Sequence, residues 1–154
     1  MGRWFAQCKS LPTGAIACCL GTIVWPIRLI LEVAVPAQPD LASVFVALRA
    51  IMADFAPRLE VIQNTPDHYY LNTRTLGPNK HPIAFGGVRT GKAYVSYYLM
   101  PVYMVSVDMS PALKKRMQGK ACFNFKAVDE DLFAELRAIT KRGYAAWKTK
   151  GWVD

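Results

Sequence analysis

The sequence predicts an α+β domain: an antiparallel sheet with an N-terminal and a C-terminal helix packed on one face, and a short helix inserted before the last strand. Three observations carry this reading. Apolar residues recur at helical spacing near both ends of residues 40–154, while β-favouring runs separated by Gly, Pro and Asn turns fill the middle. Ser110-Pro111 opens a brief helix that Gly119 closes, just before an alternating run over residues 121–126. Strands gathered between helices, rather than alternating one for one with them, mark the α+β class.

The elements follow in order. Asp40 is a helix N-cap, and Leu41, Val44, Phe45, Leu48, Ile51, Met52 and Phe55 form one apolar stripe behind it. Pro57 closes that helix. Thr65-Pro66-Asp67 is a turn, residues 69–75 a strand, and Gly77-Pro78-Asn79 a second turn. Residues 83–88 and 93–100 read as strands joined through Thr90-Gly91, and residues 102–107 as a further strand after Pro101. The short helix runs from Ser110 to Gln118, with Leu113 and Met117 turned to the core. In the strand over residues 121–126, Phe123 and Phe125 share one face, and Cys122, Asn124 and Lys126 the other. Asp129 opens the last helix, with Glu130 and Asp131 suited to its positive end. Leu132, Phe133, Leu136 and Ile139 form its stripe, and Trp147 extends it.

The chain has 154 residues, enough for one domain with a good core and too few to expect two. Residues 1–38 read differently from the rest, as a leader or extension outside the fold, with the domain over residues 39–154. Arg3 and Lys9 precede an apolar stretch that Pro26, Arg28 and Glu32 interrupt, short of the ~20 residues a spanning helix needs. Val35-Pro36-Ala37 resembles a signal cleavage site, but Arg28 and Glu32 intervene. An upstream extension, a membrane anchor and a signal peptide remain as alternatives. Only the last two would bring membrane contact or export. Without such targeting the expected location is the cytoplasm. The cysteines agree: Cys8, Cys18, Cys19 and Cys122 form no C-x-x-C pair and no disulfide framework.

The net charge of +8 is uneven. Residues 68–128 hold nine cations (Arg74, Lys80, Arg89, Lys92, Lys114, Lys115, Arg116, Lys120 and Lys126) against one acid, Asp108, so this segment supplies the whole excess. A localised positive field attracts anions such as nucleic acid, phosphorylated small molecules or anionic lipid; the plainer reading is a solvated basic face.

Chemistry-bearing motifs are scarce. His68 and His81 stand on different elements with no Cys or carboxylate at ligand spacing. Cys122 has no sequence cue to a base. Asp129, Glu130, Asp131 and Glu135 are explained by a helix start more simply than by a metal. The glycines and cations over residues 86–92 lack the spacing of a phosphate loop. No nucleophile–base pair is legible, so an enzyme has no motif to carry it, and no cofactor is called for. What remains is Tyr94, Ser96 and Tyr98 on one strand face, with Lys92 at its start and Asn124 and Lys126 on a face that would join it. Rings stack on flat ligands while cations hold phosphates; alternatively the tyrosines pack with their hydroxyls at the rim. The candidate ligand-binding set is therefore Lys92, Tyr94, Tyr98, Lys114, Lys115, Arg116, Lys120, Asn124 and Lys126.

Several blocks resemble a bacterial family, the YdhG-like domains of unknown function. They are Phe85-Gly86-Gly87-Val88-Arg89, Gly91-Lys92-Ala93-Tyr94-Val95-Ser96, Leu99-Met100-Pro101-Val102-Tyr103 and, most specifically, Leu113-Lys114-Lys115-Arg116-Met117-Gln118-Gly119-Lys120-Ala121-Cys122-Phe123-Asn124-Phe125, with Gly143-Tyr144 and Gly151-Trp152 at the end. The likeness spans roughly residues 41–152. It implies a small cytoplasmic α+β domain. Some relatives are described as frataxin-like iron chaperones, which bind iron through an acidic surface. This chain departs from that pattern, with a basic middle and only Asp40 and Asp54 about its first helix, so no iron-binding residues are carried over. The leading expectation is a non-enzymatic module for an anionic partner. An iron chaperone and an enzyme without a recognisable motif stand as alternatives.

Overall fold

Asp40 starts the first helix by accepting the backbone N–H of Ser43 at 3.1 Å, and the Ser43 hydroxyl donates to the same carboxylate. Such a cap contributes about 1 kcal/mol. The computed structural model describes residues 40–77, 79–104 and 108–153. The element order is α1 (Leu41–Ala53), β1 (Glu60–Asn64), β2 (His68–Leu76), β3 (Pro82–Thr90), β4 (Val95–Leu99), α2 (Pro111–Lys114), β5 (Met117–Gln118), β6 (Cys122–Phe125) and α3 (Glu130–Thr149), with 3-10 turns at Ala56–Arg58 and Met100–Tyr103. The leader, residues 1–38, lies outside the described residues.

The six strands form one antiparallel sheet in the order β1-β2-β3-β4-β6-β5. This is the expected α+β class: a helix at each end and a short helix before the last strand. Directly opposed residues of an antiparallel pair share a face. Leu71, Gly86 and Leu99 stand in one inward row, and Tyr97 and Phe123 in another. The buried stripe of α1 (Val44, Phe45, Leu48, Ile51, Met52) and that of α3 (Leu132, Phe133, Leu136, Ile139, Trp147) join these residues in a single core. Ring contacts tie α3 to the sheet: Phe125 meets Phe133 at 5.0 Å between centroids, and Phe85 meets Trp147 at 5.6 Å, both edge-on.

Three of the expected segments differ in the structure. The strand expected over residues 102–107 is in part a 3-10 turn, Met100–Tyr103; residues 105–107 lie outside the described residues. Pro101 has no N–H for a ladder, and its ring packs against α3 instead, on the bare Cα of Gly143. The short helix is also shorter than expected. It ends at Lys114, and Met117–Gln118 pair with Phe123 and Cys122 as β5. The strand expected over residues 93–100 is only Val95–Leu99, so Lys92 and Tyr94 lie in a hairpin connection longer than Thr90-Gly91 alone, where the Gly91 N–H donates to the Tyr94 carbonyl at 2.8 Å.

Three hydrogen bonds through Ser110 fix α2. The Ser110 hydroxyl accepts from the Leu113 N–H at 3.1 Å and donates to Glu135 at 2.7 Å, while the Ser110 N–H donates to the other oxygen of that carboxylate at 2.6 Å. Among the described residues, no helix is long and apolar enough to cross a membrane.

Candidate binding face

Both long helices contribute their stripes to the core on one face of the sheet, and the other face carries polar and aromatic side chains. Its composition follows from the register. His68 is opposite Arg89, Arg89 opposite Ser96, and Ser96 opposite Asn124, giving one row across four strands. A second row runs Tyr70, Gly87, Tyr98, Cys122 and Gln118. The alternation that buries Tyr69, Leu71, Val95, Tyr97, Phe123 and Phe125 necessarily turns their neighbours outward.

Hydrogen bonds organise this face around Asn124. Its carbonyl oxygen accepts the Ser96 hydroxyl at 2.8 Å and the Cys122 thiol at 3.5 Å, and its amide donates to Gln118 at 2.7 Å. Asn124 thus holds β4, β5 and β6 together, with its carbonyl already committed. Burial pushes the Cys122 thiol up, and the Ser96 and Tyr98 hydroxyls beside it offset that only in part. The thiol is therefore protonated at neutral pH and a poor nucleophile.

Tyr70 is set by a glycine. A Cβ on Gly87 would fall on the Tyr70 ring and 2.6 Å from the Tyr69 carbonyl oxygen, so Tyr70 lies over the bare backbone of β3. His68 meets that ring edge-on at 6.0 Å. Burial, and secondarily the nearby Tyr98 hydroxyl, push the Tyr70 phenol up. Tyr70 is thus neutral.

At the β3–β4 end of this face lies an open depression of about 410 Å³, lined by Arg89, Thr90, Gly91, Lys92, Tyr94, Ser96 and Tyr98. Two cations and two phenols line it, and no acid does. The structure therefore brings Lys92, Tyr94 and Tyr98 together. Lys126 follows Phe125, whose partner is Val95, and so falls at the same end of the sheet. Asn124 is on the face but serves the network.

The other expected residues lie elsewhere. Lys115 and Arg116 line a different cavity, about 740 Å³, together with Ser110, Asp129 and Asp131. Acids there offset their charge. Lys114 is exposed at the end of α2, and Lys120 is exposed in the β5–β6 turn after Gly119, whose φ of 74° suits glycine. Lys120 adjoins Ala121, whose carbonyl accepts the Leu99 N–H, so it sits at the opposite end of β4 from Lys92.

Sequence reasoning passed over Arg89, His68 and Tyr70 as members of this face. Their only signal was alternation with buried residues in β2 and β3, and β3 carries an irregularity opposite Leu71 and Asn72 that breaks the period. The acids at the start of α3 have structural partners: Asp129 accepts the Leu132 N–H at 3.2 Å, and Glu135 holds Ser110. Among the described residues, no three His, Cys, Asp or Glu side chains are grouped to hold a metal ion.

Comparison with known proteins returned no matching family model, curated protein or solved structure.

Proposed function

We propose that this domain is a non-enzymatic binding module for an anionic partner, with the outer sheet face at the β3–β4 end as its contact surface. The observation that carries the reading is the acid-free depression in which Arg89 and Lys92 stand beside Tyr94, Ser96 and Tyr98. Cations beside phenols, with no acid among them, favour an anion over a neutral ligand. Lys126 adds to the same field, and Lys114 and Lys120 contribute at longer range, where salt screens them. We further read the chain as a bacterial, cytoplasmic protein of the YdhG-like family, on the sequence blocks that resemble it. Iron delivery ranks below anion binding, because Asp129 and Glu135 are engaged as a cap and a helix anchor.

Fluorescence anisotropy of labelled inorganic polyphosphate over a salt series tests the anionic reading. Affinity should fall log-linearly with salt as counterions are released. Arg89→Glu with Lys92→Glu should weaken binding more than reversal of Lys114, Lys115 and Arg116 together, since acids already face two of those three. Absence of binding at low salt by the folded protein would leave the basic segment a solvated surface.

A further inference from the structure

The outer face offers ring surfaces as well as charge. Resting on the anion-binding reading above, we propose that its ligand is single-stranded nucleic acid, with bases stacked on Tyr98 and Tyr70 and phosphates beside Arg89 and Lys92.

The register places these groups. Tyr70 and Tyr98 flank Gly87 on neighbouring strands of β3, in one row across the sheet. Two strand spacings separate their backbones by roughly 10 Å. Neither helix stripe covers this face, since both pack on the other one. Both tyrosines are half-buried, so part of each stays open. The His68 edge contact and the bare Gly87 backbone fix Tyr70. The next row, His68–Arg89–Ser96–Asn124, runs alongside and carries the cation. Aromatic platforms with flanking cations hold bases and phosphates at once, without requiring a particular sequence.

The same features argue against other anions. The carboxylates of an acidic peptide would engage Arg89 and Lys92 but bring no flat partner to the phenol rings. A duplex hides its base faces in the stack, so it would offer the tyrosines only backbone. A free nucleotide shares the chemistry, but it would occupy one ring and leave the other unused.

The test uses the full chain and a labelled single-stranded RNA of about twelve nucleotides, within the site size common for such surfaces. An abasic strand of the same length, the matching duplex, polyphosphate and AMP serve as comparators. The RNA should bind at least about tenfold tighter than the abasic strand, the duplex or polyphosphate, with AMP weaker still. Tyr98→Leu and Tyr70→Leu should each lower affinity between about five- and a hundredfold at unchanged salt slope, with Tyr98→Phe close to wild type. Lys92→Gln should instead reduce the salt slope by about 0.7, the value for one phosphate on a single strand. Tyr70→Leu is read only if its circular dichroism is native; the abasic comparison needs no variant. Equal binding of RNA, abasic strand and polyphosphate would overturn stacking while leaving the anionic reading intact. AMP binding as tightly as the RNA would overturn the strand in favour of a free nucleotide. Binding of none of them at low salt would remove both proposals.

Discussion

The Tyr97 hydroxyl donates to Thr140 Oγ1 at 2.7 Å inside the core, tying the middle of β4 to α3. The direction follows from Thr140, whose own hydroxyl donates to the Leu136 carbonyl at 2.8 Å and so must accept from the phenol. Both residues are fully buried, and burial pushes the Tyr97 phenol far above its usual range.

Thr140→Val should therefore cost about 1–3 kcal/mol, because it leaves a buried phenol without an acceptor. Tyr97→Phe should cost less, about 0.5–1.5 kcal/mol, since Thr140 keeps its bond to Leu136. The double variant should lose less than the sum. Urea unfolding of the four proteins measures this. Strict additivity would show that the pair is not coupled.

Gly143 offers a case where two effects oppose. Alanine inside a helix is favoured over glycine by roughly 1 kcal/mol. Here the added Cβ would stand 2.7 Å from Cβ of Pro101. Overpacking of that kind costs about 1–3 kcal/mol. Gly143→Ala should thus lower the melting temperature, and a rise would mean that the Met100–Tyr103 turn yields easily.

Cys122 should react slowly. Its thiol is half-buried, shifted upward by burial and engaged with Asn124. Iodoacetamide labelling at pH 8, read peptide by peptide in a mass spectrometer, should modify it more slowly than a cysteine in a short unstructured peptide. An equal or faster rate would point to an activating neighbour and reopen a nucleophilic role.

Removal of the leader should leave the fold intact. Among the described residues, the buried apolar cluster runs from Val44 to Val153, and α1 is capped by Asp40. A chain beginning at Pro39 should unfold cooperatively, with a melting temperature close to that of the full chain. Loss of the transition would place the boundary elsewhere.

Much of this architecture was legible in local pattern. The stripes of α1 and α3, the caps Asp40, Ser110 and Asp129, and the alternation around Phe123 and Phe125 each depend on residues close in sequence. Helix period, cap chemistry and strand period are local properties, so the chain itself determines them. Other features were not legible. β1 is exposed along its whole length, so its residues show no burial alternation. β5 is two residues long, and only its partner β6 makes it a strand. Pro101 reads as a break within an extended run until Gly143 supplies the surface that holds its turn.

The candidate site divides the same way. The sequence grouped Tyr94, Ser96 and Tyr98 by a period of two, with Lys92 just before them. Ser96 and Tyr98 are on β4, while Lys92 and Tyr94 precede it in the β3–β4 connection yet line the same depression. The sequence could not place Tyr70 beside Gly87, nor Arg89 beside Ser96, because strand register depends on pairing between distant segments. Nor could it separate the cations by neighbourhood. Lys115 and Arg116 are adjacent to Lys114 in the chain, yet tertiary packing sets them around a cavity with Asp129 and Asp131, while Lys92 joins an acid-free depression. The amino-acid sequence determined how much positive charge the segment carries. Only the folded sheet decided where that charge meets rings and where it meets acids, because electrostatic interaction depends on distance in space rather than along the chain.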